Sequence, residues 1–393
     1  MTLKVAIAGG GIGGLAAALA AARTGCAVKV FEKAAALSEV GAGIQLGPNV
    51  TRILQSWGLG DALRAVACTP ERLQVRSAES GKVLGEFRLG DAIAERYGAP
   101  YLTLHRADLH AVLLSAAKQT QIELQLDHAV QKFQQMPQSV FVQTSDVMHE
   151  VDALIGADGL WSNTRQQLLN DGPPNRYGHL AYRALIRQTD LPEKLRSQNV
   201  TAWLGTKMHA VQYPVRGGEW LNVVAFLHGK VPDDFQNWDH SANAADLTRQ
   251  LANCSPQLQG TLQAASDWRL WVMHDRAPLQ GTHQMAQGHV ALLGDAAHPM
   301  RPYLAQGAGM AIEDAAELGL ALNGTAPQTV PEALQRYAAN RWQRNARVQA
   351  RALRNGQIFH ATGPVRWGRD AAMKLLGEKL LNMSWLYGHL LKT

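Results

Sequence analysis

Cysteine is scarce in this chain: only Cys26, Cys68 and Cys254 occur among 393 residues. No CxxC or Cys/His spacing is present, which argues against a disulfide framework and a zinc site and fits a reducing compartment. No metal is expected. Long apolar runs are missing too. The stretch from Gly13 to Ala22 is short and rich in Gly and Ala, far from the roughly 20 apolar residues that span a membrane. A secretory leader is not expected, because Leu3 to Ala8 runs directly into a glycine turn instead of a cleavage site. These readings describe a cytoplasmic protein without stable membrane insertion. Acidic residues thin out toward the end, where from Pro331 onward eleven Lys/Arg face three Asp/Glu. Arg341, Arg344, Arg347, Arg351 and Arg354 recur at steps of three and four, so they share one helix face. That face reads as a solvated face or a seat for neighbouring carboxylates, with an anion-steering surface as the alternative. No nucleic-acid recognition fold accompanies it, so nucleic acid is not an expected partner.

What remains is the composition of a soluble globular enzyme, 46% apolar and 18% charged, at a length that suits two domains. Its most specific feature is a signature in three parts. Gly9-Gly10-Gly11-Ile12-Gly13-Gly14 opens it, Asp158-Gly159 with Ser162 and Arg165 continues it, and Gly294-Asp295-Ala296-Ala297-His298-Pro299 closes it. Leu3 to Ala8 reads as a buried strand, the glycines open an Ala-rich helix, and Ala27 to Phe31 forms the next strand. In that context the fingerprint signals dinucleotide binding. Gly9 permits the tight turn, Gly11 lets the backbone approach a pyrophosphate, and Gly14 lets helix pack on strand. Gly13 and Lys33 belong to the same cofactor surface, and Glu32 is placed to accept hydrogen bonds from a ribose diol. A second phosphate-side turn as far downstream as Gly294-Asp295 requires a long cofactor, and FAD has that length. Asp158 and Asp295 are its expected carboxylates, the latter on a ribityl hydroxyl. The helix entered at Gln306 presents Gly307 and Ala308 with free N–H groups and a positive dipole end to the flavin.

Between these signatures lie two strand-rich insertions. Leu73 to Arg88 alternates around Ser80-Gly81 as a hairpin, and Gly178 to Leu227 is strand-rich with a turn at Arg216-Gly217-Gly218. Leu102 to Ala117, Asp246 to Leu262, Gln306 to Leu322 and Ala371 to Leu391 read as helices; Val140–Thr144, Val151–Ala157 and Val290–Leu293 read as strands. The expected fold is α/β. A discontinuous Rossmann-like FAD-binding domain (1–70, 99–175, 273–355) carries a sheet-based substrate domain (71–98, 176–272) and a C-terminal helical segment (356–393). Trp203, Trp220, Trp238, Trp268 and Trp271 read as substrate-domain core. Leu375, Leu376, Leu380 and Leu381 form an apolar stripe, expected to pack on its own domain or on a second subunit, so monomer and homodimer both stay open.

The three signatures, together with Gly41-Ala42-Gly43-Ile44-Gln45-Leu46-Gly47-Pro48-Asn49, His105-Arg106 and Ala305-Gln306-Gly307-Ala308-Gly309, carry a family resemblance over nearly the whole chain. The sequence resembles the single-component FAD-dependent aromatic hydroxylases, the group that contains salicylate hydroxylase, 3-hydroxybenzoate 6-hydroxylase and 6-hydroxynicotinate 3-monooxygenase. That resemblance implies noncovalent FAD, with NADH or NADPH as a transient co-substrate and O2 as oxidant. It implies hydroxylation of a small phenolic or N-heteroaromatic, carboxylate-bearing substrate through a flavin C4a-hydroperoxide. A flavoprotein epoxidase or a non-oxygenating FAD dehydrogenase on the same fold is the alternative. By resemblance Arg106 and Gln45 contact FAD, and Pro299, Pro302 and Tyr303 line the substrate pocket. Pro302 departs from the 3-hydroxybenzoate enzyme and Tyr303 from the hydroxynicotinate enzyme, so neither substrate is carried over. Hydroxylation favours a phenolate over a phenol, which calls for a base or relay near the ring. His209 and Tyr213, four apart on a strand and therefore on one face, are the expected catalytic pair. They match a His/Tyr pair of the family's substrate pocket.

Overall fold

Every residue of the strand Lys4–Ala8 after Lys4 is buried, as a parallel strand covered on both faces requires. The computed structural model describes residues 2–37, 42–145, 147–229, 240–241, 247–249 and 251–391. Within it, this strand lies inside a six-stranded sheet ordered Ala286–Gln287, Val290–Leu292, Ala153–Gly156, Lys4–Ala8, Ala27–Glu32, Glu123–Leu126. All neighbours run parallel except the edge pair between 286 and 292. Three segments distant in sequence therefore meet at the carboxyl ends of adjacent strands: the glycine turn, Asp158-Gly159 and Gly294-Asp295. In open α/β sheets that edge is where ligands bind.

A second, eight-stranded sheet faces it, ordered His240–Ser241, Arg269–Asp275, Asn175–Arg187, Trp220–His228, Met208–Val215, Val200–Gly205, Arg72–Ser77, Val83–Arg88. It is antiparallel apart from the pairing of Val200–Gly205 with Arg72–Ser77. Residues directly opposite share a face, and alternate residues return to it. By that register His179, Arg183, His209, Tyr213, Phe226 and His228 all stand on one face of the sheet. Trp203 and Trp268 are buried in this sheet's apolar core; Trp238 lies outside the described residues.

Helices differ from expectation in three places. Leu102–His105 is a strand paired with Gly43–Leu46, and the helix begins only at Arg106 and runs to Lys118. Four residues, Leu-Thr-Leu-His, are too few to declare a period, and here a strand partner decided it. Asp246 lies outside the described residues. Downstream of it, residues 247–249 are helical and a separate helix occupies Pro256–Gln263, where the Ser255 hydroxyl accepts from Leu258 N and starts the helix. The last long helix spans Gly363–Leu381, followed by the short Ser384–Tyr387. Of its expected apolar stripe, Leu375, Leu376 and Leu380 are exposed and only Leu381 packs inward. No helix among the described residues is long and apolar enough to cross a membrane.

Candidate active site

The helix Ile12–Arg23 opens on Gly11 and the helix Gly307–Leu322 opens on Gln306, and neither start has a side-chain cap. Uncapped first turns leave backbone N–H groups unpaired and gather positive potential. Both starts border one cavity of about 540 Å³, enclosed between the strand ends of the first sheet and the face of the second. Negative charge is stabilised at both ends of this space.

The fingerprint glycines divide their work by geometry. Gly9 has a φ of 104°, and a side chain there would meet the Ala157 carbonyl oxygen at 2.5 Å. At Gly14 a Cβ would stand 1.8 Å from the Gly9 carbonyl oxygen, so Gly14 serves helix–strand packing and does not border the cavity. Added at Gly11 or Gly307, a Cβ would meet nothing within 4 Å. Those two backbones are bare toward the cavity, as a closely seated ligand needs. Gly13, Lys33, Gln45, Arg106 and Ala308 also border it; Gly41 lies outside the described residues. Glu32 does so with both carboxylate oxygens already receiving backbone N–H groups, from Gly10 at 2.7 Å and Ala34 at 2.8 Å. Carboxylate oxygens keep further lone pairs for a diol.

Asp158 borders the cavity as well, with its carboxylate engaged by its own loop. It accepts from Ser162 Oγ at 2.5 Å, Thr164 N at 3.0 Å and Thr164 Oγ1 at 2.9 Å. Its side chain thus shapes its own loop. Arg165 extends that order across the sheet, pairing with Asp171 at 2.5 Å and donating to the carbonyls of Ala296 at 3.0 Å and Ala297 at 2.5 Å. In this way the second signature holds the third in place. Asp295 projects into the cavity, and burial raises its carboxyl pKa against the opposing charges of His298 and Arg106.

On the opposite wall stand Arg183, Val211, Tyr213, Val224, Phe226 and Trp271, with Met300 and Pro302 nearby. Burial raises the Tyr213 phenol pKa, with Arg183 and Gln45 acting the other way. Arg183 is the residue that sequence reasoning missed. Its guanidinium lies 3.9 Å from the Trp271 ring centroid, and its Nε has no hydrogen-bond partner among the described residues. Burial pulls its pKa down to about 10, which still leaves a cation at neutral pH. An arginine in the otherwise apolar run Leu180–Ile186 was the available signal. Trp271, read as core, is buried in a hydrophobic cluster and also borders the cavity.

Three expected pocket residues do not reach the cavity. Pro299 is buried beside Gln349, to which its carbonyl is hydrogen-bonded at 3.2 Å. Tyr303 turns its hydroxyl to His179 Nδ1. His209 shares the sheet face of Tyr213 but sits one row behind the cavity wall, its ring stacked on Phe226 at 4.4 Å and its Nδ1 2.7 Å from His360 Nε2. Burial, with His360 and His179 adding to it, pushes its pKa well below the usual histidine value. The expected base near 6.5 is therefore not provided there. The same packing brings His179, His228 and His360 together, a grouping of residues from separate elements that no local spacing announces.

The family model for the FAD binding domain matches residues 2–352. The 3-hydroxybenzoate 6-hydroxylase of Polaromonas naphthalenivorans is 38% identical over 390 residues, covering 98% of this chain and 96% of that protein. The 6-hydroxynicotinate 3-monooxygenase of Bordetella bronchiseptica is 35% identical over 352 residues, covering 88% and 89%. Among solved structures, Klebsiella pneumoniae HpxO complexed with FAD and uric acid superposes with a TM-score of 0.84 at 26% identity, covering 98% of this chain and 96% of that one.

Proposed function

We propose that this chain, which belongs to the FAD-dependent aromatic monooxygenases, hydroxylates a small phenolic or N-heteroaromatic acid using NAD(P)H and O2. Bound FAD supplies the redox chemistry that activates oxygen. The protein's contribution is to hold the cofactor, orient the ring and exclude water. Gly11 and Gly307 give it bare backbone, Glu32 and Asp295 give it acceptors, and Arg106 gives it a cation. The observation that carries the substrate class is Arg183: a buried cation on the cavity wall, stacked on Trp271, with its Nε unpartnered among the described residues. A carboxylate satisfies such a group best, since charge-assisted bonds to a planar guanidinium are strong and directional. Beside it, Tyr213 remains protonated and donates a hydrogen bond to the substrate. The charge of Arg183, in this reading, also favours the ionised phenol, a role that the buried His209 cannot fill as a base.

A panel of hydroxybenzoates, hydroxynicotinates and hydroxyquinolines, each with its neutral amide analogue, tests the proposal through NAD(P)H consumption and product yield. Acids are expected to stimulate turnover far more than amides. Arg183→Met should raise KM for the acid by about 10–100-fold, the loss of a hydrogen bond to a charged group, while FAD content is retained. Equal response to acids and amides, or a KM unmoved by Arg183→Met, overturns the carboxylate assignment. Oxidation of a ligand without incorporation of oxygen overturns the monooxygenase reaction itself.

A further inference from the structure

We propose that His179, His228 and His360 form a binding site for a divalent transition metal of the zinc class, which staples the end of the longest helix to the substrate-side sheet. His179 and His228 are directly opposite on neighbouring antiparallel strands, their rings 4.0 Å apart. His360 follows the 30-residue helix Val330–Phe359 and lies over them, 4.9 Å from the first ring and 5.2 Å from the second. One nitrogen from each can be chosen so that all three lie within 4.8 Å of one another. Around a zinc ion with bonds of about 2.0–2.1 Å, three imidazole nitrogens are separated by roughly 3.3 Å. Closing that gap calls for side-chain adjustment, and His228 is exposed at its strand end.

The surroundings orient these rings as ligands. His360 Nε2 is held by His209 Nδ1 at 2.7 Å, which turns its Nδ1 toward His228 Nε2 at 3.1 Å. His179 Nδ1 is held by the Tyr303 hydroxyl, which leaves Nε2 for an ion. A fixed partner on the non-ligating nitrogen is the usual support of a metal-bound histidine. Neutral nitrogen donors, with no carboxylate in the group among the described residues, suit zinc, copper, nickel or cobalt and not magnesium or calcium. Of the cations near the group, Arg301, Arg369 and Lys207, the first is paired with Asp275 at 2.6 Å and the second with Asp370 at 2.7 Å. Three protein ligands with one exposed member leave a fourth position for water. None of the three histidines borders the cavity, so this site is separate from the one that holds FAD.

The test uses tag-free FAD-loaded protein, stripped with a chelator and titrated with Zn2+ by calorimetry and with Co2+ by absorption. One ion per chain is expected, with a cobalt ligand-field band to the red of the flavin and a Tm raised by Zn2+. Tyr303→Phe should weaken binding by about 10–100-fold, and His360→Ala by more. Should His360→Ala fail to retain FAD, His228→Gln, at the exposed strand end, must lose the ion with its flavin content intact. His283→Ala, at an exposed histidine elsewhere, should bind as the parent does. Binding that survives His228→Gln, or a stoichiometry that falls equally in His283→Ala, overturns the site.

Discussion

A buried tyrosine with a raised pKa donates a hydrogen bond but does not act as a base at neutral pH, and this separates the two residues of the expected catalytic pair. Tyr213 borders the cavity beside Arg183. Its replacement by Phe should keep FAD and lower the ratio of product to NAD(P)H consumed, with a rate loss of roughly 5–100-fold for one missing hydrogen bond of about 1–3 kcal/mol. His209 stands behind Phe226 with a strongly depressed pKa. His209→Leu should therefore leave the pH profile of coupling unchanged and instead cost stability, about 1–3 kcal/mol, because His360 Nε2 loses its partner. Coupling measured across pH, alongside urea midpoints, distinguishes these outcomes; a shifted coupling profile in His209→Leu would return the histidine to catalysis. The glycines give a second contrast. Gly14→Ala drives a Cβ into the Gly9 carbonyl and should prevent soluble folding, whereas Gly11→Ala should fold and lose FAD. Flavin absorbance relative to protein, read together with circular dichroism, checks both.

Two helices are locked to the cofactor turn by a buried charge network. Arg341 of Val330–Phe359 pairs with Asp314 at 2.7 Å and Glu313 at 2.9 Å, and Arg344 reaches Glu313 at 2.6 Å. Asp314 in turn holds His298 Nε2 at 2.5 Å and accepts from Gly294 N at 3.2 Å. The arginine stripe is thus, at its first two members, a seat for carboxylates that positions Gly294-Asp295. Burial alone would raise the Asp314 pKa, but the His298 and Arg341 charges outweigh it and lower the value; Arg341 and Arg344 do the same for Glu313. Depressed folded pKa values mean stability that is complete above the ordinary carboxylate range of about 4–4.5 and is lost as pH falls through the depressed values. Arg341→Leu removes the cation that both buried acids share, leaving Glu313 to Arg344 and Asp314 to His298, and should cost about 3–5 kcal/mol at pH 7. It should also weaken the acid dependence, since the two carboxylates lose one of the charges that lower their pKa values. Denaturant midpoints compared between neutral and acidic pH measure both effects.

At the scale of the molecule, the cavity joins the strand ends of one sheet to a face of the other. A ligand seated there stabilises both together. Free FAD at a hundred times its Kd should add about 2.7 kcal/mol and raise a single unfolding transition. The flavin should leave the protein on acid precipitation. Two transitions of which only one responds to FAD, or flavin retained in the pellet, would contradict a shared and noncovalent cofactor.

The nucleotide-binding half was legible in the sequence because its determinants are local. A glycine turn between strand and helix must have its φ and its clearances, and Gly9, Gly11 and Gly14 state them within six residues. Three strands of the parallel sheet, Lys4–Ala8, Ala153–Gly156 and Val290–Leu292, declared themselves as short apolar runs leading into a Gly or Gly/Asp turn. Period-2 alternation likewise put His209 and Tyr213 on one face, and that face is where they are. What alternation could not supply was depth along the face: Phe226, contributed by the neighbouring strand, decides that Tyr213 meets the cavity and His209 does not. Arg183, the helix start at Arg106, the inward turn of Tyr303 and the meeting of three histidines were likewise decided by pairings between segments tens to hundreds of residues apart. Local propensity fixes the turn and the strand; which side chain confronts a ligand is set by the neighbours that tertiary packing brings against it.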